Sequence, residues 1–580
     1  MDQPEPSLNA VSSLDVADNA TQSATTRLAQ NATRTSRWLL CGRLATYVGT
    51  IGVSAIWVAL DHRSPSWDQS HYLFMALHYW NAFLAGGVHP FIHLVRTIDP
   101  GRAPLYSIAL MPFGAVFGSS GQSALVLNLF LWAVLLFSVH QIASSFFDKR
   151  AGLFAMVLTA TVPLIVYLSH QVLQDFMVVT ATTLVVMLIV RADFFARRWL
   201  SIALGVALGV AALVKVSTLL FDAGPMFICC AQTCRMIIHR QADAQGRRLA
   251  RSRLLNMAAA LTLGAALTLS WYVPNLKPTL EYLQLPFAAT SGAVGPSNPI
   301  QLGAVLAYTG DVIQSSLSWF IALAGALAAI LVVANKVQAS RRDGGASRFR
   351  PRYRALFLGT WIAIPYLASA LSNNHDTRYL VSSLPGVAVL VAGLVVSINS
   401  TVVRRAVMGT TAGLCIWQTV SVTLPLPSAV KLPSAIPFSA SVGGYSDLPA
   451  PKDFSAAMMD YLETRSRANG RMVPERVALL ETLPYVNGNT LGYMAYARSD
   501  PFIFKDVFRQ PAPSLQHTLS TFDFVMFVPP VGEDAYTLGV NGIFARGEVT
   551  PQLVSQFSHL EILPAGYGET VEILDNLPSG

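Results

Sequence analysis

Long apolar stretches separated by short polar turns recur from Leu44 to Leu424, and their length sets the first expectation. A helix rises 1.5 Å per residue, so about 20 apolar residues cross about 30 Å of hydrocarbon. The stretches predict spans at 44–60, 121–143, 151–169, 176–190, 199–214, 217–234, 254–275, 312–334, 355–371, 379–398 and 406–424. The shorter ones need tilt or supporting neighbours. The predicted fold class is thus a polytopic α-helical membrane protein with about eleven transmembrane helices. Residues 103–118 are also apolar, but counting them as a span would reverse the side of every later loop. They are therefore expected as an amphipathic helix at the outer surface.

After Leu424 the pattern changes. Residues 425–451 carry six prolines among Ser, Ala and Gly, which suits an extended linker. Beyond it, Phe454 to Ala468 and Asn487 to Ala497 have helical spacing, and Arg476 to Glu481 and Phe522 to Val528 read as buried strands. Residues 452–580 are expected as a small α/β extracytoplasmic domain. Residues 1–36, rich in Ser, Thr, Asn and Ala, are expected as a disordered cytoplasmic tail, with no signal peptide before the first span. Residues 37–424 are expected as the transmembrane domain.

Composition agrees, with 53% hydrophobic and 12% charged residues against about 25% charged in soluble proteins. The formal charge of +8 does not imply nucleic acid, because the basic residues occupy short loops without an aromatic-basic stripe. Their distribution reports orientation. With the N-terminus inside, the inner loops hold twenty Lys and Arg, from Lys149 to Arg405. The outer connections hold six: Arg63, Arg96, Arg102, Lys215, Lys277 and Arg378. That asymmetry places the N-terminus in the cytoplasm and, through an odd number of spans, the C-terminal domain outside a plasma or inner membrane. The five cysteines lie in or beside apolar spans, with no disulfide framework or zinc spacing. The chain has no Walker loop, Gly-x-Gly-x-x-Gly, His-Glu-x-x-His or internal repeat.

Residues capable of chemistry collect on the outer face. The first outer loop supplies Trp67-Asp68-Gln69-Ser70-His71-Tyr72, then Asp99-Pro100-Gly101-Arg102-Ala103-Pro104-Leu105-Tyr106. Later connections supply Ser169-His170-Gln171 and Asp175, then Lys215, then His375-Asp376-Thr377-Arg378-Tyr379. This order resembles the GT-C fold glycosyltransferases, in the branch of protein O-mannosyltransferases, aminoarabinose transferases and rhizobial galacturonosyltransferases, over roughly Leu44 to Ile398. Asp68-Gln69 stands at that family's Asp-Glu pair and Ala103-Pro104-Leu105-Tyr106 at its Pro-Pro-Leu-Tyr-like stretch. Asp175 looks like its second acidic position, Gly209 to Lys215 like its Gly-x-x-x-Leu-x-Lys-like ending, and Arg378-Tyr379-Leu380 with Pro385 like its Arg-Tyr-Leu. Gln69 departs from the family's Glu, removing a carboxylate that could orient a group or bind metal.

The resemblance implies transfer of a sugar from a polyprenyl-phosphate carrier to a hydroxyl of an envelope glycan, a glycolipid or a protein. Asp68 and Asp175 would be catalytic, and Lys215, Arg378 and Arg102 would bind the donor phosphate, with Gln69, His71, Tyr72 and His375 in support. These residues name no certain cofactor, and a divalent cation stays open. Plainer roles exist: a cap for Asp175, snorkelling for Lys215, interfacial anchoring for Arg378 and surface hydrogen bonding for the histidines. Two other functions stand beside the transferase, a transporter or lipid flippase and an inactive relative acting as a scaffold. The spans are nearly free of ionisable residues apart from Asp222, which favours surface chemistry over transport. Lacking a catalytic motif, the C-terminal domain is expected to govern acceptor choice.

The charge distribution makes a direct prediction. Reporters fused near Arg247 and Gly345 should be cytoplasmic and one fused after Pro451 extracytoplasmic; a cytoplasmic C-terminal reporter would reverse the orientation.

Overall fold

The computed structural model describes residues 37–239, 244–284, 301–338, 351–372, 375–427, 429–430, 453–470, 474–480, 483, 486–507, 518–527, 559–566 and 569–575. The expected tail over residues 1–36 and nearly all of the linker lie outside them. All eleven apolar stretches are helical. Among the described residues, five helices are long and apolar enough to cross a membrane: Arg37–Leu60, Gly121–Phe146, Gln174–Ala192, Gln245–Tyr272 and the run Thr377–Val396. Two bent pairs raise that to seven, Lys149–Ala160 with Pro163–Ser169 at 62° and Leu302–Leu317 with Trp319–Ala334 at 109°. The other four expected spans also form helices: Arg198–Val214, which is short at 17 residues, Ser217–His239, Pro351–Ala370 and Thr401–Thr423.

Residues Leu105–Phe117 form a helix of 13 residues, about 20 Å long and too short to span. It is apolar on every side rather than amphipathic. Tyr106, Ser107 and Leu110 are buried against neighbouring helices, and Val116 and Phe117 are exposed. A helix with apolar residues all round needs protein or lipid on each face.

The core is built around Gln174–Ala192, which is buried along most of its length beside Gly121–Phe146 and Arg198–Val214. Trp57, Trp132 and Trp361 are fully buried. Lipid supplies no hydrophobic drive between helices, so close backbone approach has to provide the packing. Helix Arg198–Val214 achieves it with Gly205 and Gly209 against the helix that carries Ala260, Gly264 and Leu267. A Cβ on Gly205 would stand 2.5 Å from the Ala260 carbonyl oxygen, and one on Gly209 would stand 2.4 Å from Leu267 Cβ.

The C-terminal residues form a five-stranded sheet, with β1 (Glu475–Leu479), β2 (Phe502–Asp506), β3 (Phe524–Phe527), β4 (His559–Gly566) and β5 (Glu569–Asp575). Strand order is β2-β1-β3-β5-β4; β1 is parallel to β2 and β3, and β5 is antiparallel to β3 and β4. Helices Phe454–Ala468 and Gly488–Arg498 pack with it. The domain rests on helix Asp68–Gly86. Tyr496 stacks on His78 at 4.1 Å between ring centroids, its hydroxyl accepts from Asn81 at 3.1 Å, and Tyr493 donates to the Ser119 carbonyl.

The glycine contact yields a paired prediction. Gly205→Ala should destabilise the protein by about 1–3 kcal/mol, because backbone atoms must move. Gly49→Ala, with nothing within 4 Å of the new methyl, should be neutral or stabilising by up to about 1 kcal/mol. Thermal unfolding in nanodiscs compares them, and equal melting temperatures would remove the tight contact.

Candidate active site

The polar residues foreseen on one face do share one end of the bundle. It is formed by the start of helices Asp68–Gly86, Gln174–Ala192 and the run Thr377–Val396, and by the end of Arg198–Val214.

Asp68 opens its helix directly after Trp67, whose φ of 45° and ψ of −117° are rare for an L-residue with a bulky side chain. Such a conformation costs about 1–3 kcal/mol and persists only where surrounding contacts over-determine it. Here they do. Gln122 donates to the Asp61 carbonyl, Arg63 pairs with Asp61 at 2.7 Å and lies over the Trp57 ring, and Ser70 donates to the Pro65 carbonyl. Beyond the turn Asp68 keeps 48% of its side chain exposed and faces Arg102, with Nη1 3.6 Å from Oδ1. Arg102 Nε is 3.9 Å from Asp99 Oδ2, which His71 Nε2 meets at 2.8 Å, and the guanidinium lies over the Tyr282 ring.

A second group is more buried. Lys215 Nζ donates to Asp175 Oδ1 at 2.8 Å, with side-chain exposures of 17% and 9%. Asp175 is not the helix cap: Leu173 holds that position without a side-chain bond, and Asp175 follows in the first turn. Lys215 stands just past its helix in extended backbone and meets the Tyr379 ring at 4.8 Å. Burial works against the lysine charge, but Asp175, Tyr379 and Tyr282 outweigh it and hold the ammonium above the ordinary lysine range. Arg378 is tied to its sequence neighbour: its amide donates to Asp376 Oδ1 at 2.9 Å, and Nε and Nη2 stand 2.7 and 2.6 Å from Oδ2. Burial pushes the Asp376 carboxyl up, yet Arg378 pulls it further down, to below the usual carboxylate range.

Tyrosines join the two groups. Tyr72, buried edge-on against Tyr106 at 5.1 Å, lies within electrostatic reach of both Asp68 and Asp175. Tyr282 lies within reach of both Arg102 and Lys215, and Asp175 within reach of Arg378. The foreseen cations thus stand in one field with Asp68, Asp99, Asp175 and Asp376. Each cation is spent on a carboxylate, so an incoming phosphate would have to take over from those carboxylates.

Two expected supporting residues do something else. Gln69 turns away from Asp68. Its Nε2 donates to Gln171 Oε1 at 2.7 Å and lies 3.1 Å from Ser66 Oγ, while its Oε1 accepts from the Val172 amide at 2.9 Å. His375 packs against the Tyr308 ring at 4.8 Å between centroids. Asp376 stood among the outer-face residues in the sequence but had no role assigned, although an acid two residues before Arg378 was a usable signal; Tyr282, 180 positions from Arg102, gave none. As to metals, the described residues contain no group of three or more His, Cys, Asp or Glu placed to hold an ion. The carboxylates face Arg102, His71, Lys215 and Arg378 rather than one another. Asp222, the exception within the spans, is buried in helix Ser217–His239.

Residues 101–242 match the family model for dolichyl-phosphate-mannose-protein mannosyltransferase. That stretch includes Arg102, Asp175 and Lys215. No curated protein sequence matches the chain significantly. Among solved structures, ArnT from Cupriavidus metallidurans bound to undecaprenyl phosphate is similar with a TM-score of 0.53 and 14% identity, over 94% of this chain and 99% of that one. The apo form of that protein gives 0.51 and 12%, over 93% and 98%. The oligosaccharyltransferase AglB from Archaeoglobus fulgidus, in complex with an inhibitory peptide and a dolichol-phosphate, gives 0.51 and 11%, over 91% and 74%. At such identities the structures speak for the fold, and the family model speaks for residues 101–242. The chain has the GT-C fold seen in ArnT and AglB, and its residues 101–242 are similar to the dolichyl-phosphate-mannose-protein mannosyltransferase family.

Proposed function

We propose that the chain transfers a sugar from a polyprenyl-phosphate carrier to an acceptor hydroxyl at the extracytoplasmic face, with inversion at the anomeric carbon. The observation that carries this reading is the buried Lys215–Asp175 pair beside Arg378 and Arg102, with half-exposed Asp68 in the same electrostatic field. In the step, the acceptor oxygen attacks the anomeric carbon while the bond from that carbon to the phosphate oxygen breaks. The acceptor proton passes to Asp68, and the bonding pair leaves with the lipid phosphate. Charge therefore grows on the phosphate in the transition state. Preorganised cations are most effective against such charge where water is scarce, which favours Lys215 and Arg378 over a surface lysine. Asp68 has the exposure a general base needs to reach a water-borne hydroxyl.

The carrier's hydrocarbon needs an apolar path along the bundle. A slot lined by Leu73, Leu77, Trp80, Leu110, Met111 and Tyr493 suits an alkyl chain and adjoins helix Asp68–Gly86. The C-terminal domain docks on that same helix, near Asp68, which supports a role for it in acceptor choice.

Purified protein in nanodiscs, given a set of undecaprenyl-phosphate-linked sugars and envelope extract from a deletion strain, tests the reading. Asp68→Asn should lower turnover by roughly 10²–10⁴-fold with little change in affinity for undecaprenyl phosphate. Transfer at the wild-type rate by folded Asp68→Asn would reject Asp68 as the base.

The buried pair gives a separate expectation. Lys215→Met leaves a carboxylate without its partner and should cost about 3–5 kcal/mol of stability. Asp175→Asn/Lys215→Met should recover much of that stability and still bind undecaprenyl phosphate weakly. Native mass spectrometry with the free lipid phosphate measures the binding, and wild-type affinity in the double variant would remove Lys215 from the phosphate site.

A further inference from the structure

The turn that presents Asp68 is held from outside the membrane domain. Ser64, in the loop 61–67, is 7% exposed, and its hydroxyl lies 2.7 Å from both carboxylate oxygens of Asp453. Asp453 is the first described residue of the C-terminal domain and the N-cap of helix Phe454–Ala468, where it also accepts from the Ala456 amide at 3.1 Å. The same hydroxyl is 3.3 Å from Met494 Sδ, and fully buried Ser70 is 3.3 Å from the hydroxyl of fully buried Thr490. Met494 and Thr490 belong to the domain's second helix, Gly488–Arg498. Two helices of the C-terminal domain therefore grip the loop on either side of Trp67, the residue with the disfavoured backbone.

We propose that the C-terminal domain positions the Trp67 turn, through the Ser64–Asp453 contact, so that Asp68 is held where the acceptor hydroxyl arrives. Ser64 is a positioning residue that touches neither donor nor acceptor. The inference rests on Asp68 being the reacting carboxylate. A strained turn relaxes unless its flanks are fixed; the membrane domain fixes the flank before Ser64, through Gln122, Arg63 and Trp57, and holds Gln69 beyond the turn through Gln171 and Val172, which leaves the stretch from Ser64 to Ser66. Those three residues have their firmest partners in the C-terminal domain and within the turn itself. A hydrogen bond to a carboxylate is among the stronger neutral-donor bonds, so its loss is felt locally as opening of the loop. The domain's contribution to the reaction is then geometric as well as selective: releasing it lets Asp68 swing from its place while Lys215 and Arg378 keep their partners Asp175 and Asp376.

Hydrogen exchange and kinetics on the full-length protein in nanodiscs test this. Ser64→Ala should raise amide exchange in peptides covering 61–70 on the order of tenfold and leave peptides covering 456–468 unchanged, since Asp453 still caps its helix. Turnover should fall by a similar factor at unchanged affinity for undecaprenyl phosphate, and Ser64→Thr, which keeps the hydroxyl, should restore both. Asp453→Asn keeps an acceptor and the cap and should behave close to wild type, which guards against simple misfolding of the domain. Unchanged exchange over 61–70 in Ser64→Ala would overturn the positioning role. Full activity in Asp68→Asn, with the loop loosened as expected in Ser64→Ala, would instead overturn the assignment of the base and with it the catalytic meaning of the latch.

Discussion

A charge placed where water is scarce must be matched on the spot, and the candidate site is organised by that requirement at one pair, Lys215 with Asp175. Bringing an ammonium and a carboxylate out of water costs several kcal/mol per ion, and contact at 2.8 Å in good geometry offsets it. The pair fixes the end of one helix against the start of another. Around it the remaining charges fall into order, with Arg378 on Asp376 and Arg102 between Asp68 and Asp99. The field is nearly neutral at rest and its cations are already aimed. A ligand bearing negative charge thus meets a site whose reorganisation amounts to a change of partners, not to the gathering of distant side chains.

The helices were legible because lipid imposes a length and an apolarity that few soluble segments meet, and every apolar stretch read from the sequence is helical. The segment 103–118 was harder to read. Its position off the spanning set followed from charge parity, but its all-round apolar surface contradicts an amphipathic reading and reflects burial among helices on one side. The common end for Asp68, Asp175, Lys215 and Arg378 was also legible, since loop order and parity suffice to sort residues by side. Their pairing was not. Nothing in the sequence tells Lys215 to choose a carboxylate 40 positions earlier, or gives Arg378 to Asp376 rather than to Asp175. Gln69 shows the same limit: in sequence it stands beside Asp68, yet in space it serves the backbone of Val172 and the side chain of Gln171.

That role changes the meaning of the substitution. A glutamate at 69 could still accept from the Val172 amide, but it could not donate to Gln171 or Ser66. The amide is thus a structural solution linking the start of helix Asp68–Gly86 to the segment leading into Asp175, and its presence does not argue that chemistry has been lost. Together with the grip on Ser64, it makes the turn at Trp67 a junction of three parts of the chain: the first loop, the segment before Gln174–Ala192 and the C-terminal domain.

At the opposite end of the bundle, Asp193, Phe194 and Phe195 all have positive φ, at 54°, 56° and 59°, a left-handed turn that L-residues resist. Arg253 Nη1 caps the Asp193 and Phe194 carbonyls at 2.7 and 2.6 Å, and Asn256 caps that of Phe195 at 2.9 Å. Those partners lie 60 positions downstream. At ~5–20 residues per second of synthesis, the turn waits about 3–12 s for the groups that stabilise it. Until then the turn between helices Gln174–Ala192 and Arg198–Val214 rests on its local backbone bonds, from Ala196 to Asp193 and from Arg197 to Ala192. Its left-handed form thus gains these long-range supports only when the helix bearing Arg253 packs beside it.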